Sequence, residues 1–172
     1  MTKYSFYLLY LLMFFGFSAK AQSPGATIDV QHYGFALQLN DQNNTIKGQA
    51  EIKLKFLKDA ASFNLDLVKQ NETGKGMLVS SVTENGANLQ FQQDKEMLDI
   101  TTSVNSGTEH TYTITYSGVP VDGLIISTNK FGHRTFFGDN WPNRAHNWLP
   151  CVDDPADKAT VDFIITATAH YQ

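Results

Sequence analysis

The chain has 172 residues and a formal net charge of −4, from 13 Lys and Arg against 17 Asp and Glu. Hydrophobic residues make up 42% and charged residues 17%, a balance typical of a folded globular domain and unlike that of a disordered chain. No cluster of basic residues is present, so neither nucleic acid nor a polyanionic membrane surface is an expected partner.

The N-terminal segment has the features of a secretory signal peptide. Lys3 precedes an apolar run over residues 5–17, and Ala19 and Ala21 flank Lys20 in the small-x-small pattern of a signal-peptidase site. This run is shorter than the roughly 20 apolar residues that a membrane-spanning helix needs. We therefore predict a signal peptide over residues 1–21, a flexible leader over 22–27, and a secreted or periplasmic mature protein with no membrane span.

From residue 28 onward the chain alternates between apolar and polar residues. The pattern is clearest over 45–56, where Ile46, Ile52 and Leu54 have one parity and lysines fill much of the other. Such alternation places the two sets on opposite faces of a β-strand. It recurs over residues 35–39, 63–67, 112–116 and 161–165. The positions that we predict to be buried include Ile52, Leu54, Tyr112, Ile114 and Phe163.

Turn signals separate these runs. They lie at 41–44, Ser106-Gly107 and Ser117-Gly118, and Asn85-Gly86 is the preferred pair for a type I′ β-hairpin. No segment shows helical periodicity over three turns. Strands with one wet face and hairpin spacing predict an all-β fold, an antiparallel β-sandwich.

Residues 122–157 differ in composition, being rich in Gly, Asn, Asp, Pro and aromatic residues. This predicts a long, structured loop region of the kind that carries binding function. Asp153, Asp154 and Asp157 lie here and are candidates for a metal site or an acid–base pair. The interpretation we favour is that they cap turns beside the prolines and pair with Lys158 or Arg144.

Two single residues in the same region also have competing interpretations. Cys151, the only cysteine, is either a small buried hydrophobe or a nucleophile, and we favour the first because no supporting base is apparent. His146, beside Trp148, is expected to be packed or hydrogen-bonded rather than catalytic.

Motifs for hydrolytic chemistry are missing from the sequence. The five histidines never occur three to five residues apart, so no H-x-x-x-H zinc pair can form on a helix. No Gly-rich phosphate loop and no G-x-S-x-G turn occurs either. A catalytic site is therefore not expected within this chain.

The segment 142–163 (PNRAHNWLPCVDDPADKATVDF) is similar to a stretch near the end of the N-terminal domain in aminopeptidase N-type zinc peptidases. Three further segments resemble that family in the same order: His32-Tyr33, Ile46-Lys47-Gly48, and 118–124. The residues that match the main motif are Pro150, Cys151, Asp153, Pro155, Lys158, Ala159, Thr160 and Phe163. The resemblance spans residues 28–172.

The resemblance implies a saddle-shaped β-sandwich that acts as the first, non-catalytic domain of a peptidase. Family members remove N-terminal residues from peptides with one zinc ion, which an H-E-x-x-H helix and a downstream Glu bind in a second domain that also holds a G-x-M-E-N loop. This sequence contains neither motif. We therefore expect no cofactor in this chain, zinc only in a catalytic domain that is its covalent or separate partner, and a role in shaping the cleft that binds peptide substrate.

The resemblance also points to candidate site residues. The family's first domain contributes a Gln or Glu, a few positions before the Pro-Cys-x-Asp corner, that holds the substrate amine. Here that stretch contains Asp139 and Asn140, which become the substrate-binding candidates, while Pro150, Cys151, Asp153, Pro155 and Lys158 are expected to be structural. The alternative is an independent secreted binding module whose aromatic loop 131–149 grips a ligand, unless its aromatic side chains (Phe136, Phe137, Trp141 and Trp148) pack as core.

Overall fold

The structure, a computed structural model, describes residues 26–171. The predicted signal peptide, 1–21, and residues 22–25 of the predicted leader lie outside the described residues. Within the leader, the carbonyl of Thr27 accepts a hydrogen bond from the backbone N–H of Leu57 at 2.9 Å, so this end of it is tied to the domain.

Residues 26–171 form eleven β-strands and one short 3₁₀ turn, η1 (Ala145–Asn147). The strands are β1 (Ile28–Gln38), β2 (Ile46–Phe56), β3 (Ala60–Asp66), β4 (Gly76–Glu84), β5 (Ala87–Asn88), β6 (Phe91–Asp94), β7 (Met97–Val104), β8 (Glu109–Val119), β9 (Leu124–Thr128), β10 (Arg134–Gly138) and β11 (Thr160–Thr166). No helix in this range is long and apolar enough to cross a membrane. The all-β prediction is confirmed.

The strands form three sheets. The largest has the order β11-β1-β2-β8-β4-β5, the second β3-β7-β6, and β9 and β10 form a hairpin of their own. All strand pairs are antiparallel except β1 and β11, which run parallel. The largest sheet is thus mixed, because β11 reaches it by a long crossover from β10 through the corner region and not by a tight turn.

The core lies between the six-stranded and three-stranded sheets. The Phe63 ring of β3 lies 5.5 Å from Phe56 of β2 and 4.7 Å from Tyr112 of β8, measured between ring centroids. The predicted core positions on β2 and β8 (Ile52, Leu54, Tyr112 and Ile114) are fully buried, which confirms the alternation. Full burial of one such side chain contributes about 1.5–3 kcal/mol, so these two central strands supply much of the stability.

The predicted Asn85-Gly86 hairpin is confirmed, whereas Ser117-Gly118 does not form a turn. Asn85 and Gly86 have φ angles of 49° and 80°, and they join β4 to β5 as a two-residue loop. Gly118 instead lies inside β8, where a side-chain carbon would overlap the backbone carbonyl of Gly76 on β4. Gly118 allows the backbones of β8 and β4 to approach each other closely. In a sequence, a glycine needed for such an approach looks the same as a glycine that marks a turn.

Phe163 was predicted to be buried, and that prediction is wrong. Its side chain is 46% exposed, although it stacks on Phe35 at 5.4 Å between ring centroids. The parity is right, since Phe163 is in register with the buried Phe35. The burial fails because β11 is the edge of the sheet, and no described element lies beyond it.

Candidate functional site

The predicted loop region 122–157 contains a β-hairpin, β9–β10, that the sequence analysis did not identify. Its inner face packs Ile126 and Phe136 against the core. Its outer face carries the cross-strand pair Ile125 and Phe137, and both side chains are exposed. The hairpin therefore exposes Ile125 and Phe137 to solvent on one face, while its other face is packed against the core.

The far end of the hairpin is tied to the turn between β1 and β2. Arg134 Nη2 donates hydrogen bonds to Asn43 O at 2.6 Å and to Asn44 Oδ1 at 2.7 Å. The Phe136 ring meets the Tyr171 ring edge-on at 5.4 Å, and the Tyr171 hydroxyl lies 2.6 Å from Asp41 Oδ1. That hydrogen bond holds the pKa of Asp41 below its usual value. Two elements distant in sequence thus hold the hairpin in place.

The candidates Asp139 and Asn140 begin the corner segment, which we define as residues 139–155. Asp139 Oδ2 pairs with Arg144 Nη2 at 2.6 Å, and the Asp139 N–H donates to Gly123 O at 2.7 Å. Asn140 Oδ1 accepts a hydrogen bond from Trp148 Nε1 at 2.9 Å. Both residues hold the start of the corner together, and the Asp139 side chain remains 36% exposed. Their contact with substrate stays a prediction.

Cys151 joins the corner segment to the three-stranded sheet. Its backbone exchanges two hydrogen bonds with Asp66 of β3, at 2.7 and 3.1 Å. Its side chain is buried, and burial raises the pKa of the thiol well above its usual value. A thiol that resists ionisation is a poor nucleophile, so the structure favours the interpretation of Cys151 as a buried hydrophobe.

Asp153 is bound by His146 rather than by the predicted partners Arg144 or Lys158. The 3₁₀ turn η1 directs both the backbone N–H and Nδ1 of His146 at Asp153 Oδ2, at 3.2 and 2.6 Å. The Asp153 N–H in turn donates to Asp66 Oδ2 at 2.9 Å. The predicted pairing was wrong for Asp153 because η1 brings His146 back over the corner, while Arg144 pairs with Asp122 and Asp139 at its outer side.

Two further hydrogen bonds involve residues near the end of the corner segment. Tyr33 of β1 accepts a hydrogen bond from the Val152 N–H at 2.9 Å, and burial raises the pKa of the Tyr33 hydroxyl. Asp154 Oδ1 accepts a bond from the Ala156 N–H, as expected of a turn-capping carboxylate. Within residues 26–171, no three His, Cys, Asp or Glu side chains lie close enough together to hold a metal ion.

The aromatic side chains of the loop 131–149 divide into two groups. Trp148 is buried and Phe136 is half-buried, as the core interpretation predicted. Phe137 and Trp141 are 61% and 76% exposed, as the ligand-binding interpretation requires, and Phe131 is exposed as well. The core interpretation is thus confirmed for Trp148 and Phe136, and ligand binding by the exposed aromatic side chains stays a prediction.

Three residues that organise this site were not identified as site residues by the sequence analysis: Tyr33, Asp66 and Arg134. Each acts on a segment more than 80 residues away in the chain. Local patterns in the sequence contain no signal for such contacts.

Comparison with known proteins places this arrangement in a family. A family model described as the peptidase M1 N-terminal domain matches residues 29–172. No curated protein is similar enough in sequence to be matched to this chain.

Several solved structures share the fold. An M1 zinc metallopeptidase from Deinococcus radiodurans has a TM-score of 0.67 at 21% identity, over 89% of this chain and 35% of that one. A mutant of that enzyme bound to a Tyr-Ser-Ala substrate has a TM-score of 0.66 at 22% identity, over 82% and 33%. The leukotriene A4 hydrolase of Saccharomyces cerevisiae has a TM-score of 0.70 at 20% identity, over 86% and 26%.

This chain spans about a third or less of the length of these neighbours. At such identities they show the fold alone, while the family model matches most of the chain. The resemblance based on the Pro-Cys-x-Asp corner is confirmed: the chain belongs to the peptidase M1 family and carries that family's N-terminal domain.

Proposed function

We propose that the chain is the non-catalytic first domain of an exported zinc aminopeptidase and forms one wall of its peptide-binding cleft. The observation that carries this proposal is the family match over residues 29–172. It is supported by the structural neighbours, which are zinc metallopeptidases about three times as long. The H-E-x-x-H motif needed to bind catalytic zinc does not occur in this sequence.

The hairpin β9–β10 and the start of the corner segment are the parts that would face the cleft. They combine exposed apolar side chains, Phe137 and Trp141, with the partly exposed carboxylate of Asp139. Arg144 occupies Asp139 Oδ2, which leaves Oδ1 as the acceptor for the protonated N-terminus of a peptide. Because Arg144 already neutralises much of that charge, Asp139 would contribute modestly to holding the amine.

Reconstitution tests the proposal. The purified chain should release no amino acid from aminoacyl-anilide substrates, and a separately expressed H-E-x-x-H catalytic portion from the same source should be more active with the chain than without it. Asp139→Ala in the reconstituted enzyme should raise KM more than it lowers kcat, since the interaction is with the ground-state amine. A catalytic portion that binds the chain and gains no activity would contradict the cleft-wall role.

Export is a separate part of the proposal. Lys3, the apolar run 5–17 and the Ala19-Lys20-Ala21 site support cleavage after residue 21 and a mature protein that begins near Gln22. N-terminal sequencing of protein recovered outside the cytoplasm tests it. Folded, exported protein that retains Met1 would show that the segment is not removed.

A second candidate is the independent binding module, and the exposure of Phe131, Phe137 and Trp141 favours it. Large exposed aromatic side chains commonly mark sites of interaction. The DNA after the Gln172 codon distinguishes the two. A continuing frame that encodes H-E-x-x-H supports the peptidase, whereas an unrelated neighbour supports the module.

A further inference from the structure

We infer that Asn71 is a glycosylation site, at which a transferase attaches a sugar from a lipid-linked pyrophosphate donor to the side-chain nitrogen. The inference rests on the proposed export of the protein, because asparagine-linked sugars are added to secreted proteins. It does not depend on the proposed peptidase role.

The sequence contains two Asn-x-Thr tripeptides, which accept asparagine-linked sugars when x is not proline. They are Asn43-Asn44-Thr45, in the turn between β1 and β2, and Asn71-Glu72-Thr73, in the turn between β3 and β4. Both Asn43 and Asn71 are exposed. Because such tripeptides also arise by chance, the motif alone does not establish a site, and the geometry of each turn has to be compared.

The side-chain amide of Asn71 is oriented by its own turn. Its Oδ1 accepts hydrogen bonds from the Thr73 hydroxyl at 2.6 Å, the Thr73 N–H at 2.9 Å and the Lys75 N–H at 3.3 Å. Among residues 26–171, no group forms a hydrogen bond with Asn71 Nδ2. A sugar attached to Nδ2 would therefore leave all three hydrogen bonds in place.

These hydrogen bonds also favour the transfer itself. An amide nitrogen is a weak nucleophile because its lone pair is delocalised into the carbonyl group. Loss of a proton from Nδ2 gives an imidate, whose negative charge lies mainly on Oδ1. The three donors directed at Oδ1 stabilise this charge as it develops.

The transfer balances with a donor of the stated class. A bond forms between Asn71 Nδ2 and the anomeric carbon of the sugar, while the bond from that carbon to the pyrophosphate oxygen breaks. The proton from Nδ2 passes to a base of the transferase, and the lipid pyrophosphate leaves.

The turn around Asn71 has room for a bulky group. All of residues 70–75 are exposed, and a side-chain carbon added at Gly74 would meet no atom within 4 Å. The backbone of Asn71 is also bonded within this segment, to the Gly74 N–H at 2.9 Å and to the Lys75 carbonyl at 2.8 Å. Because these contacts are local, the turn can form in the chain during export as well as in the folded domain.

Asn43 lacks the contact from the threonine hydroxyl. Its Oδ1 accepts the Thr45 N–H at 2.9 Å, but within the described range the Thr45 hydroxyl forms no hydrogen bond with it. The Asn43 carbonyl is held by Arg134 Nη2 at 2.6 Å, which fixes this turn against the hairpin β9–β10. Asn43 has the same tripeptide and is also exposed, so it is a matched control for Asn71.

Peptide mass spectrometry of the exported protein, recovered from its source organism, tests the inference. Cleavage by trypsin after Lys69 and Lys75 releases residues 70–75, which contain Asn71, whereas Asn43 lies in a separate peptide that ends at Lys47. The 70–75 peptide should carry the added mass of a sugar, and the peptide with Asn43 should not. Equal modification of the two peptides would contradict the choice of Asn71.

The same sample separates this inference from the export proposal. Processed protein that begins near Gln22 and has an unmodified 70–75 peptide would overturn the inference and leave export standing. Protein that retains Met1 and is unmodified would overturn both.

Two substitutions at Thr73 test the role of its hydroxyl. Thr73→Ser keeps the hydroxyl and should keep the modification. Thr73→Val keeps the shape and should lower the modified fraction at least about tenfold, as expected for loss of a hydrogen bond to an oxygen that gains charge. Equal modification of the two variants would contradict the role of the hydroxyl.

A change at Gly74 tests the turn while the tripeptide stays intact. Gly74 has a φ angle of 79°, so Gly74→Ala strains the turn and should lower the modified fraction at least about threefold. Gly86→Ala is the matched control, because Gly86 has a φ angle of 80° and equally open surroundings but lies in the β4–β5 hairpin. Full modification of Gly74→Ala, or equal loss in both variants, would overturn the assigned geometry.

Discussion

The two central strands and the corner segment are both fixed in place, but by different interactions. On β2 and β8 the fixed side chains are apolar and fully sealed between two sheets. In the corner segment, Asp139, Asp153 and Asn140 hold the chain through ion pairs and hydrogen bonds, at 2.6 to 3.2 Å. The scaffold therefore depends on burial, whereas the shape of the candidate site depends on polar contacts between segments distant in sequence.

The largest expected effect lies in the scaffold. Ile52→Ala should lower the free energy of unfolding by about 2–5 kcal/mol, because it opens a cavity at a fully buried position. Lys53→Ala, one residue further on the wet face, should change it by less than about 0.5 kcal/mol, since its ion pair with Glu109 is half-exposed. Urea denaturation of the two variants measures this, and similar losses would show that the strand register is wrong.

An intermediate effect on stability is expected at the His146–Asp153 pair of the corner segment. Asp153→Ala should lower the free energy of unfolding by about 1–3 kcal/mol, because it removes the acceptor for two hydrogen bonds from His146. A double-mutant cycle with His146→Ala should give a coupling energy of at least about 0.5 kcal/mol. Additive effects of the two substitutions would contradict the pairing.

The smallest effect on stability is expected at Arg144, which pairs with Asp122 and Asp139. Arg144→Ala should lower the free energy of unfolding by no more than about 1 kcal/mol, because the Arg144 side chain is 31% exposed and solvent screens its pairs with Asp122 and Asp139. A loss comparable to that of Asp153→Ala would show that the ion pairs of Arg144 are as important for stability as the His146–Asp153 pair.

The sequence was sufficient to predict the scaffold because burial on one face of a strand imposes a period of two. That period identified Ile52, Leu54, Tyr112 and Ile114, and Asn-Gly identified the β4–β5 hairpin, since few other residue pairs adopt its two positive φ angles. At Phe163 the same period gave the right face and the wrong burial. A strand's own pattern does not tell whether another strand covers it.

The candidate site was less predictable. The Pro-Cys-x-Asp motif located the corner, but it did not show that His146 rather than Arg144 binds Asp153. The sequence analysis did not predict the hairpin β9–β10, because its Gly and Asn content resembles that of a loop. Arg134, which anchors the hairpin, donates hydrogen bonds to residues some 90 positions earlier. Long-range polar contacts of this kind leave no periodic signal in one sequence.

The proposed role, in which this domain shapes a peptidase site without supplying its chemistry, is tested most directly by measuring bound metal and peptidase activity together in the purified chain. A zinc peptidase needs a metal-bound water whose pKa falls to about 7. The H-E-x-x-H motif that would supply ligands for that zinc does not occur in this sequence. We predict no stoichiometric zinc by elemental analysis and no release of amino acid from aminoacyl-anilides. One tightly held zinc per chain, with chelator-sensitive peptidase activity in the chain alone, would contradict the proposed role.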